Sequence, residues 1–148
     1  MGYVNDNLVA NEKVVKTGKI HWGIYVPGAI WLGLSMLLFI GNSRFIGMLF
    51  FLFAILSIIR AFIYEYSTEL VITDKRVIAK FGLIRRRTIE LLHTKVEGLS
   101  VDQGILGRIL NFGTVIVNGT GSGRTPIRGI SRPLEFRKAA LAEIESKS

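Results

Sequence analysis

The run TELVITDKRVIAKFGLIRRRTIELL, residues 68–92, decides how the rest of the chain is read. ELVITD (69–74) is rich in β-branched residues and ends in Asp74-Lys75, a turn signal. RVIAKFG (76–82) follows and is closed by Gly82. In RRRTIELL (85–92), Thr88 and Glu90 alternate with Ile89 and Leu91, the period of a half-buried strand. Short strands joined by tight turns predict an antiparallel β domain, and the flanking sequence has to complete it.

Downstream the same texture continues. KVEGLSVDQ (95–103) sets Val96, Leu99 and Val101 among polar residues, with Gly98 marking a bulge. GILGRILN (104–111) is too punctuated for a strand and reads as a short helical turn. GTVIVNGT (113–120) places three β-branched apolar residues in succession. The glycine-rich NGTGSGRTPI (118–127) raises the question of a phosphate loop. Such a loop needs G-x-x-x-x-G-K-S/T and a helix behind it, so that backbone amides face the anion. Here there is no G-K-S/T, and the β-like TPIRGI comes next, so the stretch reads as a hairpin turning at Asn118-Gly119. PLEFRKAALAEIESKS (133–148) opens on a proline suited to a first helical turn. Phe136, Ala140 and Ile144, with Leu141 beside them, give it one apolar face. Strand and helix periods are cleanly separated, which makes the fold α+β.

Upstream the composition changes. Between Ile20 and Ser43, and again between Phe45 and Ile59, there is no Asp, Glu, Lys or Arg. An apolar helix of about 20 residues crosses the hydrocarbon core of a bilayer. Spans of about 21–40 and 45–64 meet that length, and GNSR between them is a turn fit for a helical hairpin. A cleaved leader has a shorter apolar stretch and an A-x-A-like cleavage site, and this segment has neither. The predicted plan is therefore a 1–19 segment, a 20–66 transmembrane hairpin and a 67–148 domain. Lys13, Lys16 and Lys19 precede the hairpin, and Lys75, Arg76, Lys80 and Arg85–Arg87 follow it, whereas the turn carries only Arg44. The positive-inside rule puts both termini in the cytoplasm. The formal net charge is +8, of which residues after Tyr66 supply +6, from 14 Lys/Arg against 8 Asp/Glu. Trp22, Tyr25, Tyr64 and Tyr66 are placed as interface anchors, with Arg60 extending its stem outward and Trp31 packing in mid-span.

The run from Thr68 to Gly123 resembles the bacterial pleckstrin-homology-like (PH) family of the membrane-flanked type. It carries T-D-x-R-V-I after a span, a Gly-containing turn, a basic strand with I-x-L, then V-x-Q, G-R-I-L and G-T-V-x-V-x-G-T-G. The resemblance extends over the whole chain, hairpin included. It implies a PH-type β-barrel or sandwich closed by the C-terminal amphipathic helix, in a bacterial inner membrane. Eukaryotic PH domains hold phosphoinositides in a long basic first hairpin loop. TDKR, taken as the equivalent loop, is a tight turn, so that role passes to no residue here.

No catalytic, cofactor-binding or metal-ligating set is expected. Ser122 has Thr120 and Arg124 where a nucleophile elbow requires glycines. His21, at the membrane interface, and His93, in a loop, stand alone, and Glu143 and Glu145 read as solvent-facing. The absence of cysteine excludes disulfides and thiolate chemistry. Arg85 and Arg87 share one strand face and are the candidates for contact with lipid headgroups, at about 1 kcal/mol each. They serve equally as a solvated strand edge. Nucleic acid is not expected, since no aromatics interleave with the arginines. The expected function is non-enzymatic: a membrane-held interaction or assembly module, forming a homo-oligomer or accepting a partner protein at an open sheet edge. The alternatives are an anionic-lipid-responsive module and a small transporter or channel subunit, the last resting on Arg60 alone.

Overall fold

The strand at the head of the quoted run has a neighbour on each of its edges, and one neighbour comes from before the hairpin. The computed structural model describes residues 7–84, 86–121 and 123–147. Within it, β1 (Val14–Gly18), β2 (Glu69–Thr73), β3 (Arg76–Phe81) and β4 (Arg87–Leu92) form an antiparallel sheet in that order. Gly18 lies opposite Leu70 and Lys16 opposite Ile72, while Glu69 lies opposite Lys80 on the other side. From sequence, 1–19 stands apart as a segment of its own; within it Val14–Gly18 supplies the first strand of the sheet. Residues up to His21 and from Ser67 onward make one compact unit, and Trp22–Tyr66 makes another. The physical reason is the burial of β2: with Leu70–Thr73 buried, its backbone groups are cut off from water and need a strand on each edge.

β5 (Val96–Asp102), β6 (Phe112–Gly119) and β7 (Gly123–Ser131) form a second antiparallel sheet. The expected bulge is present, since the β5–β6 register slips between Val96 and Gly98. Burial alternates along β6, with Val115 and Val117 inward. The two sheets meet through a bridge between Ile20 and Ile130, where the Ser131 amide donates to Lys19 O at 2.8 Å and the His21 amide to Gly129 O at 2.7 Å. Leu70, Ile72, Val77, Leu91, Leu99, Val115, Val117, Ile127 and Ile130 fill the space between the sheets. The C-terminal helix (Pro133–Lys147) adds Phe136 and Ala140, with Leu141 and Ile144 packed against the cluster as the periodicity predicts.

The other unit is a helical hairpin. A short 3-10 turn (Trp22–Tyr25) leads into α1 (Val26–Ile40), and α2 (Arg44–Ser67) comes after the turn. Small buried residues recur every seventh position: Gly28 and Ser35 on α1, Gly47, Ala54 and Ala61 on α2. Such spacing lets two backbones approach closely. Ser35 Oγ donates to Gly47 O at 2.9 Å, and a Cβ on Gly28 would meet Ile58 Cγ1 at 2.6 Å. Trp31 packs against Phe50 and Phe53, with centroids 5.3 and 5.9 Å away.

In the β unit, two motif glycines are explained by close approach. The predicted helical turn is α3 (Ile105–Leu110), ended by Asn111 at φ 57. A Cβ on Gly107 would lie 2.6 Å from Phe112 O, and one on Gly113 would lie 2.7 Å from Asp102 O. Gln103 of the V-x-Q motif ties this corner together, its Nε2 donating to Phe112 O at 3.0 Å and Gly107 O at 3.2 Å. Gly113→Val is therefore expected to cost about 1–3 kcal/mol by forcing backbone apart. Thermal unfolding of the detergent-solubilised protein measures this, and an unchanged midpoint refutes it.

Candidate functional site

A buried polar cluster lies around the TDKR turn, built from the segments before and after the hairpin. With β1 in place, TDKR joins β2 to β3; the connection between the first two strands is the helical hairpin itself. That corrects the equivalence drawn from sequence between TDKR and the first PH loop. Thr73 Oγ1 accepts from the Lys75 and Arg76 amides at 3.2 and 3.0 Å and donates to Glu12 Oε1 at 2.7 Å. Arg76 grips the same carboxylate with two bonds, Nε to Oε1 at 2.9 Å and Nη2 to Oε2 at 2.8 Å. Its Nη1 reaches Glu90 Oε2 at 2.6 Å. Asp74 and Lys13 exchange two more bonds, Lys13 N to Oδ1 at 2.8 Å and Asp74 N to Lys13 O at 3.0 Å.

Burial pushes the Glu12 carboxyl up, but hydrogen bonds from Arg76, the Val9 amide and Thr73, with the guanidinium charge, outweigh it and lower the group to about 2. The hydrogen bond to Glu12 raises Arg76 in turn. A permanently ionised pair with every near partner supplied by the chain clamps the N-terminal segment to the sheet. It holds no proton to exchange near neutral pH and presents no nucleophile. Glu12 was missed from sequence. Two signals pointed to it: Val14, Val15 and Thr17 are β-branched, and Asp6 and Glu12 are the acidic residues upstream of the hairpin.

Of the predicted lipid-contact pair, Arg85 lies outside the described residues. Arg87 is exposed and opens β4 opposite Phe81, two residues later than the strand start expected from the arginine run. Gly82 takes φ +83 at the tip between β3 and β4, where Leu83, Ile84 and Arg86 are also exposed. Among the predicted anchors, Trp22, Arg60 and Tyr66 are exposed on the hairpin unit and Tyr64 is half-buried. Tyr25 Oη donates to Glu65 Oε2 at 2.6 Å, joining the first turn of the hairpin to its last.

The glycine run forms the expected hairpin, but not where the dipeptide rule placed its turn. Asn118 and Gly119 remain in β6, paired with Arg124 and Gly123, and the reversal falls beyond them. Thr120 N donates to Lys95 O at 3.0 Å, which prolongs the strand, and Gly121 and Gly123 supply the positive φ values. Glu97, Gly98, Asn118, Gly119, Gly123 and Arg124 line a shallow groove beside it. The hairpin leads into the strand β7, so it is not followed by the helix a phosphate loop requires. His93 lies in the short 3-10 turn His93–Lys95 between β4 and β5 and is buried there, with Nε2 2.9 Å from Thr73 O, so that nitrogen carries the hydrogen. His21 stacks on Phe112 at 5.1 Å.

The motif residues thus hold the fold: Thr73, Asp74 and Arg76 at one end, Gln103, Gly107 and Gly113 at the other. No curated protein and no solved structure matches the chain. The family described as Bacterial PH domain matches residues 25–144, so the match starts inside the hairpin and leaves β1 outside it. Two antiparallel sheets, a C-terminal helix packed into their core, and a family match over most of its length make this chain a member of the bacterial PH domain family.

Proposed function

We propose that the chain is an integral membrane protein in which the apolar hairpin carries a non-enzymatic PH-like interaction and assembly module on the cytoplasmic face of the bacterial inner membrane. One observation carries the membrane reading. The two candidate spans, Trp22–Ile40 and Arg44–Ser67, have mean hydropathies of 1.9 and 2.5, yet only 11% and 17% of them is buried. Helices of a soluble core bury most of such a surface; these present Phe, Leu, Ile and Met outward, with Phe45 86% exposed. A hydrocarbon solvent removes that mismatch. The β1–β2 pairing supports the topology as well. Because the strands on either side of the hairpin are hydrogen-bonded neighbours, both ends of the hairpin emerge on one side of any bilayer it crosses. The Lys/Arg excess supports the cytoplasm as that side.

Assembly is the second half of the reading. β4 and β5 each pair on one side only, so their outer backbone groups are open to a partner strand. Domains tethered to adjacent hairpins are already confined to one plane, which lowers the orientational cost of association. The homo-oligomer is expected to show a detergent-corrected mass above that of one protomer.

Cysteine labelling decides the topology. Ser43→Cys is expected to react with an impermeant thiol reagent from outside intact cells, whereas Thr94→Cys is expected to react only after lysis. The reverse pattern overturns the orientation, and two protected or two reactive sites overturn the hairpin.

A further inference from the structure

The exposed apolar side chains of the PH unit are not scattered, and strand pairing shows where they gather. The chain leaves this unit at His21 and re-enters it at Ser67. Glu69 opposes Lys80, and Phe81 opposes Arg87, so the β3–β4 tip lies at the end of the sheet where β2 begins. On the other sheet Phe112 opposes Ser131, whose amide is bound to Lys19 O. His21 stacks on Phe112, two residues beyond Leu110, and the Arg132 amide donates to Asn111 O at 2.9 Å. Helix α3 is therefore at the same end. The β2–β3 turn and the glycine hairpin lie at the opposite end.

At the end where the chain departs, Ile84 is 99% exposed, Ile105 81% and Ile109 72%, with Leu83, Leu106 and Leu110 also exposed. Arg86, Arg87 and Arg108 stand exposed among them, with Asp102 the nearby exposed acid of β5. Of the remaining exposed aliphatics in the unit, Val9, Val14 and Val15 lie on or before β1, Leu92 ends β4 and Leu134 opens the C-terminal helix. Leaving bulky aliphatics on a six-residue helix and a hairpin tip is unfavourable in water. Aliphatics ringed by arginine are matched instead to the boundary between acyl chains and anionic headgroups. The next residue after His21 is Trp22, the first of the apolar hairpin, which makes that boundary the nearest surface available.

We propose that this end of the PH unit is a lipid-docking face. Helix α3 lies in the interface with Ile105, Leu106, Ile109 and Leu110 among the upper acyl chains. The β3–β4 tip inserts Ile84 beside it, and Arg86, Arg87 and Arg108 meet headgroup phosphates. The proposal rests on the membrane reading above. It adds that the module is seated on the bilayer rather than hanging from it, so its sheet edges are held at a fixed attitude.

The absence of cysteine allows single labels at will. The full chain, reconstituted in phosphatidylcholine–phosphatidylglycerol vesicles, is labelled with an environment-sensitive fluorophore at Ile84→Cys, Ile109→Cys, Thr94→Cys or Leu49→Cys. Ile84 and Ile109 are exposed, so the substitutions leave the core intact. Both probes are expected to shift to shorter wavelength and to lose most of their emission to nitroxide lipids spin-labelled about 5–10 Å below the headgroups. The Thr94 probe should be unaffected, and the Leu49 probe should respond to deep nitroxides. Aqueous Ile84 and Ile109 probes beside a quenched Leu49 probe overturn the docking face and leave the hairpin standing. An unquenched Leu49 probe overturns the hairpin as well. Ile109 shielded from iodide yet untouched by nitroxide lipid means that protein covers the face, and that also overturns the proposal.

Discussion

Arg76→Met is expected to remove about 3–5 kcal/mol of stability, a loss set by what is left behind rather than by what is taken away. The Glu12 side chain has no exposed surface, and Arg76 supplies its two charge-assisted bonds. Without the guanidinium a carboxylate stays buried on the strength of Thr73 Oγ1 and the Val9 amide. Adding Glu12→Gln to Arg76→Met removes that charge and is expected to recover part of the loss, a non-additivity that identifies the pair. The pH dependence is fixed by the direction of the shift. Glu12 titrates at about 2 when folded against an ordinary 4.5, so its contribution is fully present above the unfolded value and is lost as pH falls toward the folded one. At 1.36 kcal/mol per pH unit the contribution is about 3 kcal/mol. Unfolding midpoints should therefore fall between about pH 5 and 2 more steeply in the parent than in Glu12→Gln. Equal slopes, or an Arg76→Met protein as stable as the parent, would show that the clamp contributes nothing.

That clamp also shows how far the sequence could be read. Strands after the hairpin were legible because alternation is local: Thr88 and Glu90 against Ile89 and Leu91 needs no distant partner to be seen. Helix periodicity placed Phe136 and Ala140 in the core for the same reason. β1 was not legible, although its residues are β-formers. Its partner, β2, lies across the whole of Trp22–Tyr66, and its lysines had already been read as the charged flank of a span. Lys16 has a second role on the edge strand β1, where a charged side chain discourages pairing by another chain. The turn in the glycine run shifted because a dipeptide rule ignores the third strand, and Thr120 N bonds to Lys95 O. Motif residues such as Asp74, Arg76 and Gln103 are absorbed by backbone and by neighbouring side chains, and only the structure shows their partners. The exposed aliphatics of α3 were invisible for the opposite reason. GILGRIL reads as a punctuated turn, and nothing in its spacing says that four of its large side chains face outward.

A fragment beginning at Ser67 is expected not to fold, whereas residues 1–21 joined to 67–148 by a short Gly/Ser linker in place of the hairpin are expected to fold as a soluble unit. The fragment lacks the whole of β1. It therefore loses the pairing from Val14 through Gly18 against Thr73 through Leu70, the Ile20–Ile130 bridge that joins the sheets, and Glu12 opposite Arg76. Each backbone hydrogen bond lost contributes about 0.5–1.5 kcal/mol, and a domain of this size has only about 5–15 kcal/mol to lose. With the clamp gone as well, the deficit reaches the whole of that stability. The linked form restores every one of these contacts. Gly18 faces Leu70 on the neighbouring strand, and the chain ends to be joined, His21 and Ser67, lie three residues beyond each. About six Gly/Ser residues, with an end-to-end reach of about 13 Å, suffice to join them. Amide dispersion and cooperative unfolding distinguish the two proteins. A folded 67–148 fragment would show that β1 is an ornament on a domain complete without it. A linked form that stays unfolded would show instead that the apolar hairpin, and not the strand before it, is what the PH unit requires.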